Sequence, residues 1–369
     1  MSGFVFPDYQ RNLVALHSRI LEHFGAESNK TKLDLELKNS KKLGLVLLDG
    51  LGWDLYSSVK PIKPSFASKM TTVFPSTTST ALTSLLTGLT PGQHGIIGYK
   101  TFYKRLGGAI KPLEFTYASS NYRNLLSRLT HLRTIFSVKT IFQKLSDEGI
   151  RSTVISPSFI DGSEFSDFNF FGASKIIGYS GIWDALYHYK KEINSGRSRF
   201  IYMYVPDIDS LEHRYGSSHP AVRQAAEDIL YALSKSSEST SRSGSTIVTA
   251  DHGHVNLSGI TNLGSDKALM KKLEIPPFGD SRAILLRSRY DVSKELSSYN
   301  LGTFKGDQRD ALLGGISKEL EDTMPDVIAV PKDKEGYVFL YGDREPSKEQ
   351  VSSHGGLSQE EMEVPLLVL

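Results

Sequence analysis

The stretch LGLVLLD at residues 43–49 is apolar until it ends in Asp49. A short, continuous apolar run predicts a strand that is buried on both faces, as in a parallel sheet. Similar runs of β-branched, aromatic or apolar residues follow along the chain, at 151–156 (RSTVIS), 200–205 (FIYMYV), 246–250 (TIVTA) and 364–369 (VPLLVL). We expect these segments to form one mostly parallel sheet.

Helical patterns precede three of these strands, at residues 136–148, 182–193 and 219–234. An amphipathic pattern at residues 12–23 predicts a further helix that packs on the sheet. Strands that alternate with helices indicate an α/β fold with helices on both faces of the sheet. The polar, low-complexity stretch at residues 234–245 predicts an exposed loop.

The alternation of strands and helices weakens after residue 250. A helix is predicted at 307–321, with strands at 283–286 and 336–340. We interpret residues 256–345 as an insertion or cap, and residues 1–255 and 346–369 as the core that carries it.

Composition excludes several classes of function. The 369 residues include 43 Lys and Arg and 41 Asp and Glu, a net charge of +2. This balance argues against a dedicated nucleic-acid or anionic-membrane binder. The absence of cysteine excludes disulfides, cysteine-ligated metals and a cysteine nucleophile. The N-terminal segment lacks a secretory pattern and no apolar run approaches the ~20 residues of a membrane span, so a cytoplasmic protein is expected. Nothing in the sequence predicts an oligomeric state.

Carboxylates and histidines follow three of the predicted strands. Asp49 ends the first strand in VLLDG, Asp209 follows the third in PDIDSLEH, and Asp251 and His252 follow the fourth in TADHG. The carboxyl ends of parallel strands meet at one edge of a sheet, where ligands bind. Carboxylates gathered there would repel one another unless a cation compensates their charge. The pattern therefore predicts a metal site at this edge.

Each of these residues has a simpler interpretation when it is taken alone. An Asp after a strand is often a turn former or a helix cap, and this role is favoured for Asp207, which follows Pro206. His354, in SSHGGLS, is by itself best explained as a loop residue. For His94 and His254 a supporting or structural role is favoured over direct ligation.

Residues 72–88 read TVFPSTTSTALTSLLTG. Hydroxyl residues that precede regularly spaced apolar residues predict the start of a helix. Free N–H groups and the helix dipole favour an anion there, so a hydroxyl at this point suits a nucleophile that attacks phosphorus. A Ser or Thr that only caps the helix explains the same pattern more simply.

Five motifs occur in an order that carries a family resemblance: VLLDGLGW, FPSTTSTALTSLLTG followed by LTPGQHGIIGY, PDIDSLEHRYG, TADHGH and HGGLSQEEMEVPLLV. Together they resemble the alkaline phosphatase superfamily and, within it, the type I phosphodiesterase/nucleotide pyrophosphatase family. The resemblance implies an alkaline-phosphatase-like three-layer sandwich with an inserted cap. It also implies an enzyme that hydrolyses small phosphoesters, nucleotides among them.

The resemblance further implies two divalent cations about 4 Å apart, as in other two-metal phosphoryl-transfer sites. Zinc is the usual metal of the family, and ligands without sulfur also suit Mn²⁺. Asp209 is preferred to Asp207 because it matches the Asp-x-x-x-His spacing of the family. By motif, one cation is expected on Asp49, Thr78, Asp251 and His252, and the other on Asp209, His213 and His354.

The nucleophile of the family lies nine residues before the Thr of a Thr-Gly pair, here Thr87 and Gly88. This count implies Thr78, with Thr77 as the alternative if the helix start is shifted. The family asparagine three residues later is replaced by Ala81, so another group holds the phosphoryl oxygens or the substrate is not a nucleotide. Three basic residues follow the helix: Lys100, Lys104 and Arg105. Contact with a charged substrate is one interpretation of them, and a solvated loop is the favoured one.

The expected activity is that of a phosphodiesterase or nucleotide pyrophosphatase with a covalent phospho-threonine intermediate. A phosphomonoesterase or phosphonate hydrolase on the same core is the first alternative. A catalytically silent binding protein is an alternative from another class. A phosphosugar mutase is disfavoured because mutases of this superfamily use a serine nucleophile, and a sulfatase is disfavoured because its formylglycine signature is absent.

Overall fold

The computed structural model describes residues 3–37, 40–60, 62–240, 244–340 and 350–369. Its strands are, in chain order, Leu43–Leu48 (β1), Phe66–Thr71 (β2), Thr101–Tyr103 (β3), Gly108–Lys111 (β4), Thr116–Tyr117 (β5), Ser152–Pro157 (β6), Lys175–Tyr179 (β7), Phe200–Val205 (β8), Ser245–Thr249 (β9), Val255–Asn256 (β10), Gly259–Asn262 (β11), Phe278–Asp280 (β12), Ala283–Leu286 (β13), Leu301–Phe304 (β14), Val327–Pro331 (β15), Glu335–Val338 (β16), Ser352–Ser353 (β17) and Glu363–Val368 (β18).

The α-helices of the described residues are Leu13–His23 (α1), Trp53–Ser58 (α2), Thr78–Thr87 (α3), Pro91–His94 (α4), Leu132–Ile135 (α5), Ile141–Asp147 (α6), Glu164–Asn169 (α7), Ile182–Ser195 (α8), Asp207–Tyr215 (α9), Pro220–Thr240 (α10), Lys267–Met270 (α11), Ser293–Leu296 (α12), Asp307–Leu312 (α13) and Gln359–Met362 (α14). None of them is long and apolar enough to cross a membrane.

A seven-stranded sheet forms the centre of the molecule, in the order β2-β18-β9-β1-β8-β6-β7. The five strands from β9 to β7 are parallel, and β18 runs antiparallel to both of its neighbours. Every residue of β1, β6, β8 and β9 is buried. Helices α8 and α10 pack together against the sheet, and α1, α3 and α6 form the other helical layer. The predicted α/β fold with a mostly parallel sheet is confirmed.

All five predicted strands belong to this sheet, as β1, β6, β8, β9 and β18. The prediction of a loop at 234–245 is wrong in its first half, because α10 continues to Thr240 before β9 begins at Ser245. Residues 241–243 of that segment lie outside the described residues. The two outer strands of the sheet, β2 and β7, were not predicted.

A second, antiparallel sheet of order β12-β13-β15-β14 lies within the segment interpreted as a cap. The predicted strand at 283–286 is present as β13. The helix predicted at 307–321 is shorter, because α13 ends at Leu312 and Gly314, with φ 74°, takes up a left-handed conformation. A 3₁₀ helix then follows at Lys318–Thr323. The division into core and cap stays a prediction, and residues 341–349 lie outside the described residues.

Candidate metal centre

Three neighbouring strands of the central sheet position three carboxylates. Strand β1 lies between β9 and β8 and runs parallel to both, so all three end at the same edge. Asp49 follows β1 directly, Asp251 follows β9, and Asp209 lies in the first turn of α9 after β8. The backbone N–H of Asp209 donates to the Asp49 carbonyl at 3.0 Å. The carboxylates thus converge as the strand order requires.

Gly50 allows this close approach of α9 to the end of β1. Its φ of +82° lies in the left-handed region, which favours glycine. A Cβ atom at this position would lie 2.9 Å from the Asp209 Cα and 2.7 Å from Glu212 Oε2. Its N–H also donates to Asp251 Oδ1 at 3.2 Å. Any larger residue would separate the carboxylates that the strands bring together.

The first group of site residues surrounds the His252 ring; we call Asp49, Thr78, Asp251 and His252 subsite A. His252 Nε2 lies 3.4 Å from Asp49 Oδ1, 3.3 Å from Asp251 Oδ2 and 3.2 Å from Thr78 Oγ1. Both of these carboxylate oxygens are buried and have no hydrogen-bond donor. Buried, unpartnered oxygens cost free energy unless a cation or a proton compensates them. The donor set of subsite A therefore fits a divalent cation.

The second group surrounds one oxygen of Asp209; we call Asp209, His213 and His354 subsite B. His213 Nε2 lies 3.3 Å and His354 Nε2 3.8 Å from Asp209 Oδ1. The Nδ1 atoms of the two rings face backbone carbonyls, of Ser352 and Ser76, at 3.1 Å each. A carbonyl only accepts, so each Nδ1 carries a proton and each Nε2 turns towards Asp209. This is the arrangement of histidines that hold a metal.

Backbone contacts tie His354 to the segment that leads into α3. The N–H of Ser76 donates to the Gly355 carbonyl at 3.3 Å, and its hydroxyl donates to the Gly356 carbonyl at 2.9 Å. Gly355 has a φ of +117°, and a Cβ there would lie 2.9 Å from the Asp280 Cβ. The two segments are therefore held side by side, about 280 residues apart in sequence.

The structure separates the two candidate threonines. Thr78 is the first residue of α3, and its hydroxyl faces His252. The hydroxyl of Thr77, the residue before the helix, donates to Asp280 Oδ1 at 3.2 Å. Of the two hydroxyls, only that of Thr78 thus contacts the His252 ring of subsite A. It also lies at a helix N-terminus, where the dipole favours an anion.

Burial shapes the charge of subsite A. It raises the pKa of Asp49 well above its ordinary value, and the charges of Asp251 and Asp209 raise that pKa further. Burial likewise raises the pKa of Asp251 to about 7, and it lowers the pKa of His252 to about 3. The imidazole is therefore neutral at pH 7 and ready to ligate, whereas protons compete with a cation for the carboxylates.

This competition predicts the pH dependence of cation binding. The affinity of subsite A for Zn²⁺ or Mn²⁺ should fall as the pH drops below about 7, by about tenfold per pH unit for one displaced proton. Above that pH the Asp251 carboxylate is already deprotonated, so its proton no longer competes with the cation. Calorimetric titrations at pH 6 and pH 8, each in two buffers of different ionisation heat, measure both affinity and released protons. Equal affinity and equal proton release at the two pH values would contradict the prediction.

A cavity of about 740 Å³ opens in front of both subsites. Thr78, Asp209, His213 and His354 contribute to its wall, and so does the half-buried Lys100. Much of the remaining wall is apolar, including Leu113, Pro277, Phe278, Ile284 and Val338. The favoured interpretation of Lys100 as a solvated loop residue is therefore wrong. Lys104 is exposed, but it begins a short 3₁₀ helix and pairs with Asp322 at 2.6 Å.

Glu212 is a residue of the site that was not predicted as part of it. His254 Nε2 lies 2.8 Å from Asp209 Oδ1, a contact that agrees with the supporting role favoured from the sequence. Glu212 is buried, and its Oε2 lies 3.6 Å from His254 Nε2 without a hydrogen-bond donor. The i, i+3 spacing of Asp209 and Glu212 on α9 is the one sequence signal that places both carboxylates on the same helix face. His94 is buried beside Ser84, at 2.9 Å, as expected of a structural histidine.

Taken together, the sheet, the threonine at the start of α3 and the Asp and His side chains at the carboxyl edge define a protein of the alkaline phosphatase superfamily. The model of the family "Type I phosphodiesterase / nucleotide pyrophosphatase" matches residues 44–357, and the chain belongs to this family. Membership makes it a phosphoric ester hydrolase. No curated protein matches the sequence.

Solved structures with the same fold include murine ectonucleotide pyrophosphatase/phosphodiesterase 5, which is 17% identical. The alignment covers 88% of this chain and 87% of the murine chain, with a TM-score of 0.64. Phosphonoacetate hydrolase from Sinorhizobium meliloti 1021, in complex with phosphonoacetate, is 16% identical over 92% of this chain and 93% of that chain, with a TM-score of 0.65. An inactive threonine-to-alanine variant of the murine protein is in complex with AMP.

Proposed function

We propose that the protein is a two-metal phosphodiesterase or nucleotide pyrophosphatase that acts through a covalent phospho-threonine at Thr78. One observation carries the proposal. The Thr78 hydroxyl lies at the start of α3 and 3.2 Å from His252 Nε2, which is itself within 3.4 Å of two buried, unpartnered carboxylate oxygens. A nucleophilic oxygen and a cation subsite thus share one point of the cavity.

Subsite A would hold one divalent cation and subsite B the other. Bound cations in such a site lower the pKa of a ligating hydroxyl and neutralise the charge of the phosphoryl oxygens. Nitrogen and oxygen ligands without sulfur favour Zn²⁺, and they also accommodate Mn²⁺. The hydrogen bonds from the Nδ1 atoms of His213 and His354 to backbone carbonyls would keep both rings in an orientation that suits ligation.

The chain's own groups then carry out an in-line displacement. Thr78 gives up its hydroxyl proton and its oxygen forms the new bond to phosphorus, while the bond from phosphorus to the leaving-group oxygen breaks on the opposite side and that oxygen takes up a proton. Free N–H groups at the start of α3 favour the negative charge of the phosphoryl group. Water hydrolyses the phospho-threonine in a second displacement and restores the Thr78 hydroxyl.

Lys100 is the group that we assign to the anionic part of the substrate. Ala81 has no donor and is fully buried, whereas Lys100 lines the same cavity as Thr78. Burial lowers the pKa of Lys100, and the nearby Asp280 opposes this effect. An ammonium group at this point would pair with a phosphate or phosphonate oxygen of the bound substrate.

Replacing this lysine tests the assignment. Lys100→Ala should lower kcat/KM by about 10- to 100-fold, equivalent to about 1.4–2.7 kcal/mol, because a charged contact with the substrate is lost. The matched control is Lys104→Ala, which removes a lysine outside the cavity and should leave kcat/KM within about twofold. Steady-state kinetics on one phosphodiester measure kcat/KM for both variants. Equal effects of the two substitutions would refute the assignment of Lys100.

A screen of phosphoester classes tests the proposed function itself. Purified protein, supplemented with Zn²⁺ or Mn²⁺, is assayed with bis-p-nitrophenyl phosphate, p-nitrophenyl phosphate and a phosphonate monoester. We expect the diester to be the best of the three substrates. Preference for the monoester or the phosphonate would instead support a phosphomonoesterase or phosphonate hydrolase, for which the replacement of the family asparagine by Ala81 is the observation in favour.

A catalytically silent binding protein is the alternative from another class. The complete set of Asp, His and Thr side chains in subsites A and B argues against it, since a decayed site usually loses a ligand. Failure to bind either metal would favour this alternative. A cytoplasmic location and the absence of dedicated nucleic-acid binding remain predictions that we make from the sequence.

A further inference from the structure

The hydrogen bonds of His254 determine which of its ring nitrogens carries a proton. Its Nδ1 lies 3.0 Å from the hydroxyl oxygen of Ser352. That hydroxyl already donates its hydrogen to the Glu212 carbonyl at 2.7 Å, so its oxygen accepts from His254. The Nδ1 of His254 is therefore the donor, and Nε2 is the atom that faces Asp209.

His254 thus repeats the orientation of His213 and His354. The three rings surround the Asp209 carboxylate, with centroids 4.7, 5.0 and 5.2 Å apart. Asp209 and the three histidines each offer one ligand atom, and these four atoms lie within 4.8 Å of one another. Three Nε2 lone pairs directed at one carboxylate repel it, and a shared cation removes this repulsion.

We propose that His254 is a fourth protein ligand of the cation in subsite B, beside Asp209, His213 and His354. The inference rests on the proposed two-metal function, and it adds a ligand to the set that the family motifs imply. His254 is fully buried at the ring and has the shortest of the three contacts to Asp209, 2.8 Å against 3.3 and 3.8 Å.

Glu212 places a second buried carboxyl group beside this subsite. It lies one helical turn after Asp209, its side chain is 1% exposed, and its Oε2 has no hydrogen-bond donor. This oxygen lies 3.6 Å from His254 Nε2, so a cation bound between His254 and Asp209 would lie close to a second buried carboxylate. Because imidazole nitrogens suit Zn²⁺ and three of them face Asp209, we expect subsite B to retain zinc more strongly than subsite A, which has one.

Zinc analysis of a variant tests the role of His254. Wild-type protein stripped of metal and reloaded with Zn²⁺ should hold two ions, and a chelator titration should remove one of them well before the other. In His254→Ala the more tightly held ion should bind at least about 10- to 100-fold more weakly. The matched control is His94→Ala, which removes a buried histidine outside both subsites and should leave the zinc content and both affinities unchanged.

A second measurement uses the unaltered protein and so avoids any effect of the substitution on folding. X-ray absorption of protein that holds only its tightest zinc ion should count three imidazole ligands, whereas two would contradict the proposal. Two zinc ions with wild-type affinities in folded His254→Ala would also overturn it, and His254 would then be a neighbour of Asp209 that does not bind the cation. Wild-type protein that binds no zinc or manganese would overturn the two-metal function as well. Failure of the two-metal function is thus distinguished from failure of the role of His254 alone.

Discussion

Thr78→Ala is expected to reduce kcat for a phosphodiester by at least about 10³-fold, because the substitution removes the proposed nucleophile. The cation of subsite A should largely remain, since Asp49, Asp251 and His252 keep their ligand atoms. Steady-state kinetics on bis-p-nitrophenyl phosphate, with zinc content measured on the same samples, separate loss of the nucleophile from loss of the metal.

Two further substitutions sharpen this test. Thr78→Ser keeps a hydroxyl and should retain activity within about 100-fold of the wild type. Thr77→Ala removes the neighbouring hydroxyl, which contacts Asp280 and does not cap α3, so kcat should stay within about tenfold. If Thr77→Ala were inactive and Thr78→Ala active, the nucleophile would be Thr77.

Asp209→Asn should have the second large effect. Asp209 offers a ligand atom to both groups of clustered residues, so its charge acts on both cations. We expect loss of bound zinc from subsite B, a weaker subsite A, and a fall in kcat/KM of at least about 10³-fold. Metal analysis and kinetics on the same sample measure these effects.

Asp207→Asn is the matched control, because it makes the same chemical change two residues earlier on α9. Asp207 is half-buried at the first residue of that helix and belongs to neither group of ligand atoms. Zinc content and kcat/KM should therefore stay close to those of the wild type. An equal loss in both variants would mean that the preference for Asp209 over Asp207 is incorrect.

The central strands were predictable because their physical signal is local. Strands β1, β6, β8 and β9 are buried on both faces and therefore read as continuous apolar runs. The outer strands β2 and β7 expose residues such as Lys69 and Lys175, which interrupts that run. The end of α10 was mistaken for a loop because its serine-rich composition resembles a linker, whereas Leu233 and Ser237 are buried within the fold.

The residues of the candidate site likewise divide into those with a local sequence signal and those without one. Asp49, Asp209 and Asp251 could be predicted because each follows a strand, and parallel neighbours end at one edge. For Lys100 the sequence could not decide between a solvated loop and a contact with the substrate, since its position in the cavity depends on chain folding far from the strands. The contribution of His254 and Glu212 depends on Ser352, which lies 98 and 140 residues away from them.

The sequence by itself determined which segments form the central strands and which carboxylates follow them. The absence of cysteine also restricted the metal ligands to nitrogen and oxygen atoms. The tertiary structure decided which threonine contacts His252 and how many imidazoles face Asp209. The physical reason is that strand burial is encoded in neighbouring residues. The orientation of a histidine ring, in contrast, is decided by the acceptor at its other nitrogen, and for His213, His254 and His354 that acceptor lies on a distant segment of the chain.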